Sequence, residues 1–230
     1  MKQPRALSHF APIEPSALAE RQVHEKAIYW PGHADFSGDG TTPDLSAFPT
    51  FAAMKARASA RPPSPLAAFA KAVRDAQDRV LIMDRFLFTP EHGSAQVNVD
   101  AVMSWFSTGP AVSDVRLLTS ASGGEQTEIA RQFSELAKAI NSNQSHRVSK
   151  IDIQINFKLK DLVDEIHDRF AIIDNELWHF GATVGGLHPS LNAASRGWPA
   201  DKHGAIAFFE CAWRAASTLS QRHDIGRPRT

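Results

Sequence analysis

Apolar positions follow two rhythms along this chain, and the changes of rhythm mark its elements. Leu66, Phe69, Ala70, Val73 and Ala76 recur at helical spacing behind a Ser64-Pro65 start. The run "RVLIMDRFLF", Arg79 to Phe88, then reads as a buried strand ending in a loop. Val99, Val102, Met103 and Phe106 predict a second helix, stopped by Gly109-Pro110. "DVRLLTSA" predicts a strand ended by Ser122-Gly123-Gly124, and Thr127 to Ile140 a helix with Ile129, Phe133, Leu136 and Ile140 on one side. Ile151, Ile153, Ile155, Phe157 and Leu159 alternate with polar residues, as in a strand with one wet face. "RFAII" and "LWHF" flank Asp174-Asn175, which predicts strand, tight turn, strand. "GAIAFFECAW" reads as a last strand running into a helix from Glu210 to Arg222. Strands alternating with helices predict an α/β domain with helices packed on the sheet.

The domain so read spans 63–230. Residues 1–62 form an irregular N-terminal arm, rich in Pro, Gly, Ala and Ser, with one candidate helix from Ser16 to Ile28. Trp30, Phe36, Phe48 and Phe51 make the arm too apolar for a free linker, so it is expected to pack on the domain or on a partner subunit. His24, His33, Asp35 and Asp39 read as loop polarity in preference to a metal site. The stretch from Ala182 to Gly204 reads as one long loop, a length that is often functional.

Composition narrows the class. The chain has 230 residues, 43% hydrophobic and 22% charged, as in an ordinary globular domain. Formal net charge is zero, so no global basic field points to nucleic acid and only a local patch can do so. The most basic region holds His146, Arg147, Lys150, Lys158 and Lys160. The single cysteine, Cys211, rules out an intrachain disulfide and a thiolate zinc cluster, and its apolar surroundings read as a buried inert thiol. No signal-peptide core and no apolar run of roughly 20 residues is present, so a cytoplasmic chain without stable membrane association is expected.

The chemistry concentrates in His167-Asp168-Arg169. An imidazole and a guanidinium two positions apart suit a phosphate. The first attacks phosphorus or moves a proton, and the second holds non-bridging oxygens. The spacing continues as Asp174, five residues after Arg169, and Gly181, seven after that. This pattern resembles the motif of the phospholipase D superfamily, and "IHDRFAIIDNELWHFGAT" is similar in flavour to its single-motif, nuclease-like bacterial members. The family usually carries Lys where Arg169 stands. It often continues Gly-Ser-x-Asn, where this chain has Gly181-Ala182-Thr183-Val184.

The resemblance implies a mixed sheet flanked by helices on both faces. It also implies a metal-independent phosphodiesterase with no cofactor, working through a phosphohistidine. No second such motif occurs, so it implies a homodimer whose site straddles the two-fold axis. His167 would be nucleophile in one copy and general acid in the other, with Arg169 clamping the phosphoryl group. Asp174 would hold structure or orient neighbours. Glu210, with Asp201 behind it, is the candidate acidic partner of His167. Lys158, Lys160, Thr183, Arg196 and His203 are candidate substrate contacts, and Asp84 and Arg85 stand at the strand end that faces ligands in α/β sheets. His179 reads as a packed or rim histidine. The expected substrate is nucleic acid. A phospholipid-cleaving or phosphatidyl-transferring enzyme and a catalytically inactive phosphate-binding module are the alternatives.

Overall fold

In a computed structural model, residues 25–30, 51–59, 65–89, 94–143, 149–188 and 191–225 are described. The elements are β1 (Ala27–Tyr29), α1 (Phe51–Ser59), α2 (Ala67–Asp75), β2 (Arg79–Met83), α3 (Ala95–Ser104), β3 (Asp114–Leu118), α4 (Gly123–Asn143), β4 (Asp152–Asn156), α5 (Leu159–Leu162), β5 (Arg169–Ile173), β6 (Glu176–Phe180), a 3₁₀ turn (Val184–Gly186), β7 (Ala194–Pro199) and α6 (Ala205–Ile225).

The fold is α/β, built on one seven-stranded mixed sheet in the order β1-β7-β6-β5-β2-β3-β4. β2, β3 and β4 run parallel, because α3 and α4 carry the chain back between them. β5 returns antiparallel to β2, and β6, β7 and β1 continue antiparallel. This change of direction brings the start of β5 to the carboxyl ends of the parallel strands.

Alternation along each strand feeds two cores. Val80, Ile82, Val115, Leu117, Ala171 and Ile173 face α2, α3 and α4, while Leu81, Met83, Leu118, Phe170 and Ile172 face α5 and α6. The first core is anchored by Phe69, whose ring meets Trp105, Trp178 and Phe180 edge-on at 5.1, 5.4 and 5.2 Å. Such contacts add about 0.5–1.5 kcal/mol each beyond burial.

Several expectations change. From Ala205 onward "GAIAFFECAW" is helix: Phe209, Ala212 and Ala216 face the sheet at helical spacing, and Phe208 is half exposed. The last strand is instead β7, inside the stretch read as loop. The alternation of 151–159 outlasts its strand, since β4 stops at Asn156 and Leu159 opens a short helix. Cys211 is exposed, not buried, because it lies on the outer side of α6. Within the arm, Ala27–Tyr29 is a strand paired with β7 where a helix end was expected, and Phe51–Ser59 is a helix. Residues 16–24 of the candidate helix, with His33, Asp35, Asp39, Phe36, Phe48, His146 and Arg147, lie outside the described residues.

Candidate active site

The site lies where β2, β3 and β4 end and β5 begins. Met83 pairs with Phe170, so the next residues in each direction, Asp84 and Arg169, stand opposite one another. Asp84 is fully buried. It accepts hydrogen bonds from the backbone N–H groups of Phe86 and Val184, each at 2.8 Å, and its own N–H donates to the Leu118 carbonyl at 3.1 Å. Arg169 Nε lies 3.8 Å from Asp84 Oδ1, and its guanidinium stands 4.7 Å from the centre of the Phe86 ring. The aromatic face and the carboxylate fix the guanidinium, yet the long contact leaves its donors available to a ligand.

The loop after β6 completes this clamp. Gly185 has φ +76°, and a Cβ there would meet the Trp105 ring at 2.3 Å. Its carbonyl accepts from Leu66 N–H at 2.8 Å. Only glycine fits, and that close approach presents Val184 N–H to Asp84. Thr183 is buried in the same loop and supports the turn through its carbonyl, which accepts from Gly186.

His167 precedes β5, is exposed, and has no hydrogen bond or ion pair among the described residues. Its segment is tied to the end of β2 by Arg85, which donates to the Asp164 carbonyl and pairs with its carboxylate at 2.8 Å. Lys158 and Lys160 sit at the same end of the sheet. Lys158 pairs with Asp161 at 2.9 Å, and Lys160 N–H donates to Ser120 Oγ at 2.9 Å. His179 is half exposed, 3.7 Å from Asp168.

Burial pushes the Asp84 carboxyl up to about 6, against the opposing pull of the Val184 and Phe86 amides and of Arg169. The native value lies above the unfolded value of about 3.9, so between those limits the native state holds more protons. The stability contributed by this group is therefore greatest below about pH 4 and is lost as pH rises through about 6. Asp84→Asn is the neutral reference. Its stability relative to wild type is expected to rise by roughly 2–3 kcal/mol from pH 4 to pH 7, read from paired denaturation curves. A flat difference would show that Asp84 is not held protonated.

Several expected site residues stand elsewhere. Asp174 lies at the opposite end of β5, about 17 Å away at some 3.3 Å per residue. There it accepts from the N–H groups of Gln77, Asp78 and Arg79. Glu210 is not a histidine partner: it pairs with Arg116 at 2.6 and 3.0 Å, and Arg116 also pairs with Asp114. That guanidinium holds the Glu210 carboxyl below the usual range. Arg196 is a half-buried cation, 5.2 Å from the Trp178 ring centre and 6.0 Å from that of Tyr29, with Nε 3.9 Å from Glu176. His203 and Asp201 lie in the turn after β7, beside Asn175 at the far end. Sequence reading gave Phe86 no role; its place between two arginines depends on the turn after β2.

Among the described residues no cluster of His, Cys, Asp and Glu could hold a metal, and no helix is long and apolar enough to cross a membrane. No family model and no curated protein matches the chain. Solved structures do. Phosphatidylserine synthase of Haemophilus influenzae Rd KW20 is 12% identical, with a TM-score of 0.39 over 62% of this chain and 33% of its own. NucT from Helicobacter pylori is 11% identical, with a TM-score of 0.36 over 64% of this chain and 86% of its own. TrmBL2, an archaeal chromatin protein with a novel mode of DNA binding, is 13% identical, with a TM-score of 0.35 over 64% of this chain and 48% of its own. The chain thus spans about a third of the synthase and half of TrmBL2, and the likeness is one of fold.

Proposed function

We propose that this chain is a metal-independent phosphodiesterase of the phospholipase D type, acting on nucleic acid at a site shared by two copies. One observation carries the reading. At one end of the sheet, a solvent-facing imidazole with no partner among the described residues, His167, is followed by a guanidinium held against a buried carboxylate and an aromatic ring.

His167 of one copy attacks phosphorus. A P–N bond forms, the P–O bond to the leaving group breaks, and its electron pair leaves on oxygen. The imidazolium of the second copy protonates that oxygen and is left neutral. It then takes a proton from water, which attacks the phosphohistidine and frees the first imidazole. Arg169 from both copies neutralises the charge that grows on the non-bridging oxygens. Asp84 keeps Arg169 in position without touching substrate. Among the described residues no carboxylate lies within 4 Å of His167.

Lys158 and Lys160 at the same sheet end favour a polyanion over a lipid surface, since salt-dependent attraction to phosphates scales with such cations. The test is incubation of the purified chain with plasmid and single-stranded DNA in EDTA. Cleavage is expected in both. Head-group release from phosphatidylcholine vesicles without DNA cleavage would assign the site to lipid. Inactivity toward DNA, vesicles and bis(p-nitrophenyl) phosphate alike would reduce it to phosphate binding.

A further inference from the structure

A cavity of about 280 Å³ opens beside the clamp, lined by Arg85, Phe86, Thr89, Ser120, Ser122 and Lys160. We propose that it holds the phosphate adjacent to the scissile one on a nucleic-acid strand. This inference rests on the phosphodiesterase reading and specifies its substrate class.

Among the described residues, two cations and three hydroxyls line the cavity, and no carboxylate does. Arg85 lies 5.1 Å and Arg169 4.7 Å from the same Phe86 ring, so the cavity wall and the scissile-phosphate clamp are neighbours. Part of the lining is already engaged: Arg85 with Asp164, and Ser122 with Glu125. The rest is free to donate. Lys160 has an exposed ammonium with no ion pair among the described residues. Ser120 Oγ accepts from Lys160 N–H and keeps its own hydrogen for a ligand, and the Thr89 hydroxyl makes no hydrogen bond among the described residues.

The volume falls just under the range of roughly 300–1,000 Å³ in which whole small molecules bind, and so suits one portion of a longer ligand. A simple phospholipid offers one phosphodiester. Two adjoining anion sites match a polymer that offers phosphates in series.

Lys160→Ala tests this, with Lys202→Ala, an exposed cation in the turn at the far end, as control. Hydrolysis of bis(p-nitrophenyl) phosphate, which carries one phosphate, is compared with that of a labelled single-stranded dodecamer. Lys160→Ala is expected to raise KM for the dodecamer about 5- to 20-fold and to lower the salt slope of its binding by roughly 0.7. The small ester should be affected less than the dodecamer, and Lys202→Ala should change neither substrate. An equal effect on both substrates, or none on either, overturns the inference. If the wild type cleaves neither substrate, the phosphodiesterase reading fails on its own. Dodecamer binding by fluorescence anisotropy then decides the subsite: weakening by Lys160→Ala supports it, and unchanged or absent binding removes it.

Discussion

His167→Ala is expected to lower phosphodiester cleavage at least about 10³-fold while leaving the melting temperature in place. The first half follows from its two roles. General acid–base work by a positioned histidine contributes roughly 10²–10⁴-fold, and nucleophilic attack is lost on top of it. The second half follows from its surroundings. The imidazole is exposed and makes no hydrogen bond or ion pair among the described residues, and surface substitutions of that kind stay within about 0.5 kcal/mol.

A mixing experiment sharpens this expectation. If one site needs an imidazole from each copy, a dimer of one wild-type and one His167→Ala chain has no working site. Activity should then fall as the square of the wild-type fraction when subunits exchange. A fall in simple proportion would mean that each chain works alone, and a monomer by gel filtration would say the same. Loss of activity together with a lowered melting temperature would instead make His167 part of the fold.

The hairpin that carries His167 and Arg169 was legible because its signals are local. Asp174-Asn175 forms the turn, Asp174 takes φ +55°, and the strands on either side alternate as expected. Asp84 was legible from its place at a strand end. Glu210 was misread because its partner, Arg116, is 94 residues away, and no local pattern announces such a pair. β7 was hidden for another reason. Its residues "ASRGWP" have little strand propensity, and Gly197 takes φ +101° where Lys26 and Glu25 of the β1 segment cross it closely. Pairing on both sides makes that strand, so its cause lies in β1 and β6 and not in its own side chains. The run beginning at Ala205 failed from ambiguity, since a short apolar stretch has no period that separates strand from helix.

Asp174→Ala is expected to damage the fold and spare the chemistry, although Asp174 belongs to the same motif as His167. Its carboxylate accepts from Asp78 N–H at 2.7 Å, from Arg79 N–H at 3.1 Å, and from Gln77 N–H at 3.1 and 3.2 Å. Its own N–H donates to the Arg79 carbonyl at 2.9 Å. These bonds join the β5–β6 turn to the turn between α2 and β2, and so set the register of the two central strands. Alanine leaves three amides without their acceptor and places a Cβ at positive φ with no side chain to compensate. At about 1 kcal/mol for each lost bond, the cost is roughly 2–4 kcal/mol. For a chain of this size that is a drop of roughly 4–16 °C in melting temperature. Glycine should cost less, because it accepts the backbone angle, and asparagine least, because it also keeps one acceptor oxygen. With Asp174 about 17 Å from Arg169 along the strand, the folded fraction of each variant should keep its turnover number. A variant that melts like wild type but no longer cleaves would place Asp174 in the chemistry, and the sheet would then have to be read from the other end.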